Sequence, residues 1–261
     1  MAPSIIVGYS KDLSEFPECE SREKNRVGYL VSPVFDVLCL TEWKLTGSPY
    51  KYCLTVSIVG GEDNGWLREL AFEHIDDGGT EEEAVTLVRG AVGHNGDDDE
   101  AEQVARFVYR DFMFRAQTGN DIGIQIKGAF VQPTKEKKAM ARTVYGFLLN
   151  WHRHIISDDH QTVYGAKIWA KGMIEVGRVQ VYDDSQKHFV DILTQGGVGI
   201  GGFKPWDALL LNEQQISHWN PNALSIDPAD QILAIVSATD RFHQIGITTF
   251  DANIPLFRVV K

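Results

Sequence analysis

The chain has 261 residues, 43% of them hydrophobic and 23% charged, with a formal net charge of −11. That is the composition of an ordinary globular protein, long enough for one large domain or one domain with an appended piece, and its acidity disfavours a broad, charge-driven grip on nucleic-acid phosphates. No stretch approaches the roughly 20 uncharged apolar residues of a membrane span; Met1-Ala2-Pro3-Ser4-Ile5-Ile6-Val7 has neither a basic start nor a long apolar run, so the expectation is a cytoplasmic chain with no membrane contact.

In chain order, residues 34–44 and 52–59 read as strands around Leu45-Thr46-Gly47-Ser48-Pro49-Tyr50, whose turn chemistry predicts an antiparallel hairpin. Cys39 and Cys53 lie in these runs and, with Cys19, show no metal-ligand spacing, which predicts small core residues in a reduced compartment. Helices are predicted at 66–75 and 80–92. The run Asn95-Gly96-Asp97-Asp98-Asp99-Glu100 lacks the spaced ligands of a calcium loop and reads as an exposed loop. It leads into a predicted helix at 100–115, whose Val104, Phe107, Val108 and Phe112 recur at helical spacing.

Next come a strand at 122–131, a long helix at 134–152 with Ala141, Val144, Leu148 and Trp151 as its core stripe, a strand at 154–157, a helix at 162–173 and a strand at 178–182. Further strands are expected at 188–193, 231–237, 244–250 and 256–260. The glycine run from Gly196 to Gly202 has no helix after it to make a phosphate cradle and reads as a flexible loop. The order predicts a mixed α/β (α+β) fold on a twisted, mixed, largely antiparallel sheet. Strands 124–131 and 154–157 should be parallel neighbours, because a long helix joins them. The domain reading is 1–195, with a β-rich extension at 196–261 packed on the same domain.

Chemistry is expected where the apolar strand stops and a helix begins, at Ser157-Asp158-Asp159-His160-Gln161-Thr162. Thr162 suits the N-cap, and two readings stand for the rest. In one, Ser157, Asp158 and Gln161 converge on a ligand, with Asp158 the base or electrostatic anchor for an amine and Tyr164 the proton donor to a leaving group. In the other, Asp158 and Gln161 bond the turn and Trp169 packs in the core. Adjacent side chains such as Asp158, Asp159 and His160 do not converge easily on one ion, so no metal is expected. His152 and His154 should flank a helix end, partly exposed, and no Ser/His/Asp order can be argued. Lys135, Lys137, Lys138 and Arg142 oppose the dipole at the start of the long helix, as a solvated end or as a phosphate or carboxylate site.

The segment from Asp121 to Asp183 resembles the centre of the GNAT acyltransferase superfamily in its β-α-β-α-β order. Ile126-Lys127-Gly128-Ala129-Phe130-Val131-Gln132-Pro133 matches the strand leading into the coenzyme A-binding turn, and Glu136-Lys137-Lys138-Ala139-Met140-Ala141 matches the turn. Glu136 stands where that family places Arg or Gln, and Ala139 where it places the first glycine. The run Ser157-Asp158-Asp159-His160-Gln161-Thr162-Val163-Tyr164-Gly165-Ala166-Lys167-Ile168-Trp169 is similar to a Ser-Asp-x-x-Gln-[Ser/Thr]-x-Gly-x-x-x-[Leu/Ile]-Trp signature of GNAT-like proteins of tailed bacteriophages. The resemblance implies a phage-encoded group-transfer enzyme of the host cytoplasm that moves an acyl or aminoacyl group from acetyl-CoA or another acyl donor onto an amine. It implies a donor side at Phe130, Val131, Lys137, Lys138 and Ala139, and Asp158, Tyr164, Ser157, Gln161 and Thr162 at the reacting end. The alternative is a non-catalytic acidic phage protein that binds a host or virion protein on a degenerate scaffold.

Overall fold

The computed structural model describes residues 4–6, 12–61, 64–93, 103–116, 119–133, 139–194, 196–207, 224–225 and 232–237. As the sequence predicts, the fold is mixed α/β, with a large, open and mostly antiparallel sheet. The chain divides into two units, the first made of 1–12, 111–126 and 144–261, the second of 13–110 and 127–143.

In the second unit the strands β2 (Ser21–Val31), β3 (Val37–Thr46) and β4 (Tyr52–Ile58) pair antiparallel in that order, followed by parts of β5 (Gln103–Ala116) and β6 (Gly119–Val131). The predicted hairpin is β3–β4. Helices α1 (Gly65–Asp76) and α2 (Glu81–Val92) close with Leu67, Ala71, Ala84 and Val88 over Val31, Val37, Cys39 and Val59. Thr80 and Glu83 form a reciprocal capping box that satisfies orphan amides at the start of α2.

The predicted helix at 100–115 is corrected: its described residues, from Gln103 onward, are strand β5. Val104 through Tyr109 are all buried, so the stretch is covered on both faces. Such a strand is apolar at helical and alternate positions alike, and the spacing of Val104, Phe107 and Val108 cannot discriminate. Its aromatic and β-branched content is the better guide. Strand β2 was not expected, because Ser21 to Asn25 are polar and exposed.

In the first unit the remaining halves of β5 and β6 are followed in the sheet by β7 (His154–Ile156), β13 (Ile232–Ser237), β9 (Val179–Asp183) and β10 (His188–Ile192). The β6/β7 pair is parallel, with Ile124 opposite Ile155, as the crossover through α3 (Met140–Trp151) predicts; β13 runs antiparallel to β7 and β9. Helix α4 begins as Val163–Lys167, passes through a π-helical turn at Ile168–Gly172 and ends as Met173–Val176. Phe114, Ile156, Tyr182, Phe189, Leu233 and Ile235 fill the core beside these strands.

A small parallel sheet in the same unit has the order β12 (Leu224–Ser225), β11 (Trp206–Asp207), β1 (Ser4–Ile6), β8 (His160–Thr162). None of its strands exceeds three residues, too short for a sequence period. The loop expected at 95–100, residues 134–138 of the long helix and the strands at 244–250 and 256–260 lie outside the described residues.

Candidate functional site

Strand β7 delivers the polar junction. Its buried His154, Ile155 and Ile156 pair with β13, Ile155 and Ile156 also pair with β6 on the other side, and the β13 pairing continues into Ser157. Ser157 N donates to Ala234 O at 2.8 Å, and Ala234 N donates to Ser157 Oγ at 3.0 Å. The hydroxyl thus stands in for a backbone acceptor at the strand end. Gln125 Nε2, from β6, donates to Ser157 O at 3.2 Å.

Asp158 then turns the chain, its Oδ1 accepting Asp159 N at 2.9 Å and its carbonyl accepting Gln161 Nε2 at 2.9 Å. Gln161 Oε1 accepts Trp206 Nε1 at 3.4 Å, tying β8 to β11. Thr162 is the N-cap, extended at φ −71 and ψ 163, with Oγ1 accepting Gly165 N at 3.1 Å. Trp169 is buried and stacks on Tyr145 with ring centroids 6.2 Å apart. Tyr164 stands out at 79% exposure, with Lys167 Nζ 5.8 Å from its ring. Ser157, Asp158 and Gln161 are therefore brought together and bonded into the turn, while Tyr164 faces solvent.

The donor-side residues belong to the second unit. Phe130 is half-buried against the cluster of Leu45, Cys53 and Val108, and Val131 ends β6. Ala139 has φ 56, the left-handed conformation a glycine takes freely, and its carbonyl accepts Thr143 N at 3.1 Å and Thr143 Oγ1 at 3.2 Å. Lys135, Lys137 and Lys138 lie outside the described residues.

Three polar clusters have no linear sequence signal, because strand pairing assembles them. In the first unit, His154 is fully buried, not partly exposed as expected: Nδ1 lies 2.7 Å from Ser237 Oγ and Nε2 3.2 Å from Asp121 Oδ2, with Phe114 edge-on at 5.0 Å. These are the residue types of a nucleophilic triad. A triad works through a hydroxyl that meets substrate, whereas Ser237 is 1% exposed and paired with His154 across β13 and β7. The cluster satisfies buried polar groups on three strands and presents no nucleophile.

In the second unit the fully buried Glu42 accepts Tyr109 Oη at 2.5 Å, Arg26 Nε at 2.7 Å and Asn25 Nδ2. A β-bulge between Lys24 and Arg26 accompanies the approach of Asn25 and Arg26 to the one carboxylate. Burial, then the Glu42 charge and hydrogen bond, push the Tyr109 phenol far above its ordinary value, so it remains a proton donor to Glu42.

The third cluster explains the glycine run. Buried Asp191 accepts Gly201 N at 3.0 Å and Phe203 N at 3.2 Å through Oδ2, and Ile192 N at 2.7 Å through Oδ1. A Cβ at Gly199 would collide with that carboxylate. The amides of this glycine-rich loop serve as donors to the chain's own anion.

No family model, curated protein or solved structure matches the chain. Among the described residues no helix is long and apolar enough to cross a membrane, and no group of three His, Cys, Asp or Glu side chains could hold a metal ion.

Proposed function

We propose that this is a GNAT-like group-transfer enzyme of phage origin, moving an acyl or aminoacyl group onto an amine. The observation that carries the reading is the β6-α3-β7 crossover: its parallel pairing covers Ile124 and Gln125, whereas β6 itself runs on to Val131. The left-handed Ala139 before α3 adds support, since it keeps the backbone form for which the family turn uses glycine. At the reacting end, Asp158 takes the proton of the attacking amine directly or through water, Tyr164 protonates the leaving group, and Ser157, Gln161 and Thr162 hold the turn. Calorimetric titration with acetyl-CoA and coenzyme A tests the donor; absence of binding at about 1 mM, a free energy near −4 kcal/mol, removes acyl-CoA from the reading.

The bonding of Ser157, Asp158 and Gln161 into the turn favours a second reading, a non-catalytic scaffold that binds a host or virion protein. Asp158→Ala and Gln161→Ala separate the two. Lost transfer or ligand binding at unchanged Tm supports the enzyme; a lower Tm alone supports the scaffold.

A further inference from the structure

We infer that the outward seam between α1 and α2 is a docking groove for a cationic amphipathic helix of a partner protein, which lays its apolar face on Trp66, Leu70 and Leu87 and its basic side chains on the carboxylates beside them. The two helices run antiparallel. His74 Nε2 lies 3.4 Å from Glu83 Oε2, joining the last turn of α1 to the first of α2, while Leu67 and Val92 both stand against Gly60, joining the first turn of α1 to the last of α2. Side chains four apart share a helix face, so these contacts align Trp66, Leu70 and His74 on α1 with Ala91, Leu87 and Glu83 on α2. Leu67, Ala71, Ala84 and Val88 turn to the sheet and are buried, whereas Trp66 is 53% and Leu87 43% exposed. The seam is therefore apolar and open to solvent. A Cβ at Gly90, three residues beyond Leu87, would meet nothing within 4 Å, and a glycine inside a helix costs about 1 kcal/mol relative to alanine. Among the described residues no neighbour requires the missing side chain; a second helix lying close along α2 does.

Charge selects the occupant. Residues 64–93 carry seven carboxylates and two arginines, a net −5 of the chain's −11. Arg68 is ion-paired at 2.6 Å with buried Asp36, and the Arg89 guanidinium lies 4.2 Å from the Tyr29 ring centre of β2, so both cations are held by the sheet layer. Exposed Glu69, Glu73 and Glu82 make no ion pair among the described residues. Burial and the adjacent Glu82 charge hold Glu81 above its ordinary value, the mark of carboxylates with no cation between them. A second copy would set these carboxylates against their equals, and nucleic acid or an anionic membrane would bring phosphates to them. A basic helix with an apolar stripe meets both features, its anchors at helical spacing on the seam and its cations on the rim. From Trp66 to His74 the seam runs about 12 Å, the length of two helical turns. It lies wholly within the second unit and is independent of either functional reading above.

The test is fluorescence anisotropy of the full chain with fluorescein-labelled Leu-Lys-Lys-Leu-Leu-Lys-Leu-Leu-Lys-Lys-Leu-Leu-Lys-Leu and with a scrambled peptide of the same composition that has no apolar face. Saturable binding is expected, about tenfold weaker for the scrambled peptide and for the Gly90→Gln and Trp66→Ser chains, with new amide-exchange protection in α1 and α2. Gly90→Gln sets a better helix former in open space, so it obstructs the seam while Tm stays equal or rises. No saturable binding up to about 1 mM peptide, equal binding of the scrambled peptide, equal binding by either variant, or a dimer of the chain that Gly90→Gln dissociates would each overturn the inference.

Discussion

Asp183 illustrates how a single carboxylate sets acid sensitivity. Burial raises its pKa, but hydrogen bonds from Ser185 Oγ and the amides of Gln186 and Ser185, together with His188, outweigh burial and hold it below the ordinary value. Its contribution to stability is therefore full above the unfolded aspartate pKa of about 3.9 and is lost as pH falls through the lower folded value. Asp183→Asn should flatten the acid limb of a Tm-against-pH curve below about pH 4 and leave the curve's shape at neutral pH unchanged; an unaltered acid limb would refute this.

Tyr109 gives a second test at the same scale. Tyr109→Phe leaves the buried Glu42 carboxylate short of one donor and should cost about 1.5–3 kcal/mol in urea unfolding, the range for a hydrogen bond to a charged group. Thiols follow the same logic. Burial, more than any nearby charge, pushes Cys53 up to about 12, so a thiol reagent at pH 8 should leave Cys53 unmodified in the folded protein and label it after unfolding.

Among the elements, the contact between β6 and β7 depends on a position without a side chain. A Cβ at Gly123 would stand 2.6 Å from His154 Cβ and 2.7 Å from His154 O. Gly123→Ala must push the strands apart, and overpacking of this kind costs about 1–3 kcal/mol. Amide exchange should accelerate at Ile155 and Ile156 with the α1–α2 pair unaffected; uniform exchange in both regions would argue against a local cause. The strands at 122–131, 154–157 and 178–182 and the described part of the helix at 134–152 were legible because each is long or bounded by polar residues, whereas β8 (His160–Thr162) was not, being only three residues. Strand β5 was misread because a strand buried on both faces carries no alternation.

For the molecule as a whole, the candidate site depends on a distant part of the chain. Ser4, Ile5 and Ile6 pair in parallel with His160, Gln161 and Thr162, so the first residues complete the sheet that contains the signature. Deletion of residues 1–6 should raise amide exchange at 160–162 and reduce any activity carried by Asp158, while β2–β4 keep their protection. Equal exchange with and without the segment would sink that dependence.

The sequence by itself determined the fold class, the β3–β4 hairpin, the crossover that makes β6 and β7 parallel and the Thr162 cap, because each follows from local pattern, turn chemistry or chain connectivity. Only the tertiary structure decided which polar residues meet. His154, Asp121 and Ser237 are joined by strand register, Asp191 is reached by the loop from Gly199 to Phe203, and Gln161 meets Trp206 through a sheet of very short strands. A hydrogen bond depends on distances of about 3 Å between atoms, and residues far apart in sequence acquire such distances only when the chain between them has folded.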